Sequence, residues 1–199
     1  MHVAGPYEII IPEGNHRPDG TVGMNHNQQY SVLLKNHTSQ RVNVHLSIDG
    51  QLVDKFRLGP RSNWTIETKP GSEKRFTFAK LRTSMAIAGQ VADNANTGLV
   101  TTTFIPEIVR PESLSFGVRG QSMTGQHTKA PVSAGRRLES GEPDAAGGTV
   151  LTGRSNQQFR QASPMELDHE RKVTIHLRLV CQGNDVQPLH STIPPRPVD

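Results

Sequence analysis

Arg41-Val-Asn-Val-His-Leu-Ser-Ile-Asp-Gly-Gln-Leu-Val-Asp-Lys-Phe-Arg-Leu58 is the stretch that decides the fold class. Val42, Val44, Leu46 and Ile48 alternate with Arg41, Asn43, His45 and Ser47. A period of two puts one set of side chains on each face of a strand, so one face is buried and the other meets water. Asp49-Gly50 then marks a tight hairpin, because a type I′ turn needs positive φ at both central residues. Leu52, Phe56 and Leu58 are expected to resume the apolar set on the returning strand.

Working outward, the same pattern recurs. Trp64 and Ile66 are in phase, Pro70-Gly71 is a turn, and Phe76 and Phe78 share a face. Upstream, Tyr30, Val32 and Leu34 share a face within 29–37, and Tyr7 to Ile11 forms a short run closed by Pro12. Downstream, Gly98 to Ile105 is a Thr-rich strand limited by Pro106, and Lys80 to Gln90 reads as a short helix or loop. Near the end, Val173, Ile175, Leu177 and Leu179 alternate with Thr174, His176 and Arg178. About eight strands with regular turn signals and no βαβ repeat predict an all-β fold, an antiparallel β-sandwich or jelly roll.

The chain has 199 residues, of which 33% are hydrophobic and 5% aromatic, with 18 Gly and 14 Pro. That is low for a chain that is all core, so a compact domain is expected to carry extended segments. Residues 1–28 read as an N-terminal strand followed by a loop or arm. Residues 29–109 form the sandwich core. Residues 110–167, rich in Gly, Ser, Gln, Pro and Ala, read as an extended arm or insertion. Residues 168–183 supply the final core strand, and 184–199 a Pro-rich tail of polyproline character.

The chemistry-bearing residues form no recognisable catalytic pattern. Cys181 is the single cysteine and shares parity with the apolar set of the last strand, so it is expected in the core. None of the nine histidines shows His-x-His or His-Glu-x-x-His spacing. His45 and His176 fall on outward parity and could meet only if their strands were neighbours. Asp49 belongs to a turn, Glu67 to an exposed strand face, and Asp168 and Glu170 stand near Arg171. Gly117-Val118-Arg119-Gly120 and Gly147-Gly148 lack the strand-to-helix context of a phosphate loop. Trp64, the single tryptophan, reads as core. The net charge of +4 comes without a block of like charge, which argues against a nucleic-acid footprint. No run approaches the length of a membrane helix, and the N-terminus lacks the pattern of a secretory leader.

The segments Ser47 to Leu58, Trp64-Thr65-Ile66-Glu67, Arg75-Phe76-Thr77-Phe78 and Thr174-Ile175-His176-Leu177-Arg178-Leu179 resemble those of small β-rich proteins of phage, other viral and bacterial genomes, some of them virion components. The resemblance covers roughly 30–109 and 147–181, and its motifs are turns and core alternation. It implies a non-enzymatic structural protein of a phage or virus particle: a capsid decoration or cement protein, a fibre base or a head-to-tail component. Such a protein needs no cofactor and no metal. It would partner other virion proteins or further copies of itself, and would reside in the virion, or in the cytoplasm if not viral. Ordering a long arm costs about 1–2 kcal/mol per residue in backbone entropy, which contacts with neighbours can offset. Phe116, Val150, Leu151 and Phe159 are the apolar anchors expected at that interface. The alternatives are a carbohydrate-binding module or adhesin, which needs exposed aromatics beside polar groups, a hydrolase, which needs His and carboxylates in one pocket, and, third, a nucleic-acid binder, whose binding would depend steeply on salt.

Overall fold

The computed structural model describes residues 2–109 and 145–182. These residues form thirteen strands and one helix. In chain order the strands are β1 (His2–Ala4), β2 (Tyr7–Ile10), β3 (Asn15–His16), β4 (Thr21–Met24), β5 (Gln28–Gln29), β6 (Val32–Asn36), β7 (Val42–Ile48), β8 (Gln51–Leu58), β9 (Ser62–Ile66) and β10 (Arg75–Lys80). Helix α1 (Ser84–Ala88), β11 (Leu99–Pro106), β12 (Ala145–Thr152) and β13 (Val173–Cys181) follow. One sheet has the order β1-β2-β6-β9; the other runs β5-β10-β12-β13-β11-β7-β8, with β4 alongside β13 and β3 beside β4. The fold is an all-β sandwich, antiparallel except where β4 pairs in parallel with β13.

The β7–β8 hairpin turns where the sequence places it. Asp49 and Gly50 have φ of 53° and 77°, as a type I′ turn requires. One apolar position departs from expectation. The register shifts between Leu46 and Ser47, so Leu46 faces Asp54 while Ser47 faces Leu52. The extra residue in β8 flips the parity of the strand's first half. Leu52 is therefore 56% exposed, while Val53 packs against the core. Beyond the bulge Phe56 and Leu58 face inward and are buried.

The core lies between the sheets. Tyr7 of β2 stacks on Phe104 of β11, with ring centroids 4.6 Å apart and planes 7° apart. Ile9, Leu34 and Ile66 from one sheet join Val44, Leu46, Val100 and Leu177 from the other in a single buried cluster. Each such side chain contributes about 1.5–3 kcal/mol on burial. Cys181 is buried in the same cluster. α1 is capped by Thr83, whose hydroxyl accepts from the Ala86 amide at 3.3 Å.

Two boundaries differ from the sequence reading. Residues 13–28 are not simply a loop: β3 and β4 form a hairpin there, and Val22 and Met24 are fully buried beside Leu179 and Cys181. Residues 145–152, assigned to the arm, are a sheet strand. Ala145 and Ala146 pair with β13, and Gly147 to Thr152 pair with β10. The small residues that made this stretch look poorly apolar are the ones its position needs. A Cβ on Gly147 would lie 2.3 Å from the Phe78 ring, and one on Gly148 would lie 2.4 Å from Val91. Residues 110–144, with Phe116, and the tail 184–199 lie outside the described residues.

Candidate functional site: a strapped groove beside β8

After β12 the chain runs along one side of the sandwich as a strap, residues 153–168, pinned by side chains. The Ser155 amide donates to the Glu73 carbonyl at 2.6 Å, and the Ser155 hydroxyl donates to Glu67 Oε1 at 2.6 Å. Glu67 also pairs with Arg75 at 3.0 Å, so it belongs to a network and not to an open strand face. Gln157 acts as a substitute strand partner. Its Oε1 accepts from the Glu67 amide at 3.0 Å, and its Nε2 donates to the Thr65 carbonyl at 2.6 Å. Sheet edges carry backbone groups that need such partners.

The next anchor is Phe159. Its ring lies 5.6 Å from that of Phe56 on β8 and 5.7 Å from that of Trp64 on β9. Phe56 and Trp64 meet edge to face at 5.6 Å. Phe159 thus bridges the two sheets at the open side of the sandwich, with the geometry aromatic quadrupoles favour. The strap then passes round β8. Arg57, which alternates with the buried Phe56 and Leu58, donates from its guanidinium to the Ser163 carbonyl, so Ser163 lies towards the outer face. Further on, Leu167 bridges to Glu107, the Ile108 amide donates to the Glu166 carbonyl at 3.0 Å, and the Asp168 amide donates to the Pro106 carbonyl at 2.8 Å. Asp168 closes the strap through a 2.6 Å ion pair with Arg171.

Between strap and edge lies a groove of about 770 Å³. Phe56, Trp64, Phe159, Pro164 and Met165 supply apolar lining; Asn43, Asp54, Lys55, Arg57, Gln158, Arg160 and Gln161 supply polar lining. Among the described residues β8 has one strand neighbour, β7. The Lys55 amide donates instead to the Asp54 carboxylate at 2.7 Å. A side chain therefore caps a backbone donor on the free edge, a device that blunts unwanted strand pairing. Arg57 is held by neutral oxygens, the Ser163 carbonyl and Asn43 Oδ1, the latter at 3.0 Å from its Nε. Among the described residues, Lys55, Arg57 and Arg160 have no carboxylate in salt-bridge contact.

The interface anchors expected from sequence are placed differently. Val150 is 6% exposed and packs with Ala79 and Ala86 beside α1. Leu151 pairs with Phe76 and is partly buried against the core. Phe159 is an anchor, but its seat is within its own domain. Trp64, expected in the core, is partly buried and lines the groove. Trp64, Arg57, Asp54 and Gln157 carry the site without having been singled out for it. No local signal marked them, because the strap's position over β8 depends on packing between residues far apart in sequence.

Two further clusters are structural. Asp49 reaches from the hairpin turn to accept from the Gly98 and Thr149 amides, each at 2.6 Å. Burial pushes its carboxyl above the usual range and outweighs these two hydrogen bonds. On the outer side of β2, Glu8 lies 3.3 Å from Lys35 and 3.2 Å from His37. Burial raises its pKa, but hydrogen bonds from His37 and Lys35 more than offset this and hold it below the usual range. His45 and His176 are separated by β11, and the His176 Nδ1 sits 3.0 Å from the Thr101 hydroxyl. Burial lowers the His45 pKa, helped by Lys55 and His169. Among the described residues no three His, Cys, Asp or Glu side chains gather as a metal site, and no helix is long and apolar enough to cross a membrane.

Compared with protein-family models, curated proteins and solved structures, the chain matches none.

Proposed function

We propose that this chain is a non-enzymatic assembly protein that docks an extended segment of a neighbouring protein along β8. The observation that carries the reading is the β8 edge itself. Among the described residues β7 is its one strand neighbour, and it faces a groove with an aromatic wall. Strand addition at such an edge draws affinity from main-chain hydrogen bonds and specificity from alternate side-chain pockets. The sequence resemblance supplies the setting, a phage or virus particle, in which the chain would act as a decoration, cement, fibre-base or head-to-tail component. Its neighbours would be other particle proteins or further copies of this chain.

Trp64 makes the reading testable, because it is the single tryptophan and lines the groove. Light scattering across a concentration series, with Trp64 emission followed in parallel, is the experiment. A defined oligomer, or a complex with an added extended peptide, accompanied by an emission shift supports docking at β8. Complexes that form without any change at Trp64 or in amide exchange of β8 refute it.

The same groove favours a second reading through one feature. Trp64 and Phe159 stand beside Asn43, Asp54, Gln158 and Gln161, a combination that can stack and hydrogen-bond a sugar. A carbohydrate-binding module or adhesin would show the Trp64 shift with neutral oligosaccharides and none with peptides.

A further inference from the structure

Resting on the docking reading above, we propose that the segment β8 receives is acidic, an extended peptide with carboxylates at alternate positions. The groove contains three cations, Lys55, Arg57 and Arg160, against one carboxylate, Asp54. The Lys55 amide orients Asp54 without neutralising it, so the groove keeps a balance of two positive charges. The Arg57 guanidinium is oriented by Asn43 Oδ1 and the Ser163 carbonyl, neutral acceptors that fix its direction, and Glu107 acts on it only at longer range, outside salt-bridge contact. None of the three cations has a salt-bridge partner among the described residues. Oriented, unpaired cations beside a partly apolar wall favour a carboxylate over a neutral or basic group.

The alternation follows from strand geometry. Lys55 and Arg57 share one face of β8, and Phe56 and Leu58 share the other. A strand laid beside β8 inherits the same two faces. Its alternate residues meet Lys55 and Arg57, and the residues between them meet the side of Phe56, Trp64 and Phe159. The segment that fits therefore reads acidic, apolar, acidic, apolar. The chain's net charge of +4 steers such a segment toward the groove at long range.

The test uses the whole chain and three soluble peptides: alternating Val and Glu, the same with Gln for Glu, and the same with Lys for Glu. Trp64 emission and amide exchange of β8 are read at low and high salt. The Glu peptide is expected to bind roughly tenfold tighter than the Gln peptide at low salt. The gap is expected to close at high salt as screening grows. In the double variant Lys55→Gln, Arg160→Gln the preference is expected to shrink to about threefold; both residues are exposed, so the fold is retained. Equal binding of the Glu and Gln peptides, or tighter binding of the Lys peptide, overturns the acidic inference and leaves docking standing. No response at Trp64 or β8 to any peptide overturns docking itself. Binding of an acidic oligosaccharide in the absence of peptide binding overturns both and favours the carbohydrate reading.

Discussion

Replacing Phe159 by Ala removes the one ring that joins strap, β8 and β9. Truncating a fully buried Phe costs about 3–5 kcal/mol. Phe159 is only partly buried, and its packing comes from two tilted or edge-on aromatic contacts at 5.6 and 5.7 Å. About half the full cost, ~2 kcal/mol, is therefore expected. For a chain of this length that corresponds to a fall of about 4–8 °C in Tm. Urea unfolding followed by Trp64 emission measures the loss and reports the site at once, since the indole loses a neighbour in the same step. Amide exchange should show Ser155 and Asp168, whose backbone amides hold the two ends of the strap, opening faster than in the parent. Phe159→Leu should recover about half of the loss, because an aliphatic side chain restores contact area without the ring geometry. A Phe159→Ala protein within ~0.3 kcal/mol of the parent, with unchanged emission, would refute the reasoning. It would mean that the strap is held by its hydrogen bonds alone and that the aromatic bridge contributes nothing.

Other substitutions test other parts of the fold. Thr102 is fully buried with a hydroxyl that has no hydrogen-bond partner among the described residues, so Thr102→Val should stabilise the chain by about 1 kcal/mol in thermal or chemical unfolding. Gly98 has φ +73° and a Cβ there would sit 2.4 Å from the Leu179 carbonyl oxygen, whereas Gly71 has φ +79° and open space around it. Gly98→Ala should therefore cost more than ~3 kcal/mol and reduce soluble yield, while Gly71→Ala should cost about 1 kcal/mol. Asp49 should leave a signature in pH. Its folded carboxyl titrates above the unfolded one because burial favours the protonated form. The native state thus binds more protons than the unfolded state between the two pKa values, and stability falls as pH rises through that window. The stability of the parent relative to Asp49→Asn should be greatest below about pH 4, the unfolded carboxyl's range, and decline above it. Unfolding midpoints of both proteins across acid pH measure this, and a difference that grows with pH would contradict the assignment.

Most of the sandwich is legible in local pattern because strand alternation and turn chemistry are local properties. Val42 to Ile48 alternate because one face is buried, and Asp49-Gly50 can adopt two successive positive φ values at low cost. The same logic places Val173 to Cys181 and the buried thiol. It fails at Leu52, because a bulge is set by how β8 must twist against β7 and not by the identity of the residues within it. It fails again at Ala145 to Thr152. Small side chains read as a weak core signal, yet close approach to Phe78 and Val91 requires them.

By itself, then, the sequence determined an all-β chain, its principal hairpin and most of its inward-facing residues, Leu52 and Trp64 apart, since each depends on neighbours two to four positions away. Tertiary structure alone decided where the segment after β12 goes. Phe159 lies 95 positions from Trp64 and 103 from Phe56, and their meeting depends on the two sheets leaving an open side that the strap can close. Asp49 likewise became a clamp on Gly98 and Thr149 because a buried carboxylate needs donors, and the fold brings two distant amides to it. Local pattern encodes which face of a strand is dry. Which distant groups satisfy an edge or a buried charge is encoded only in how the whole chain packs.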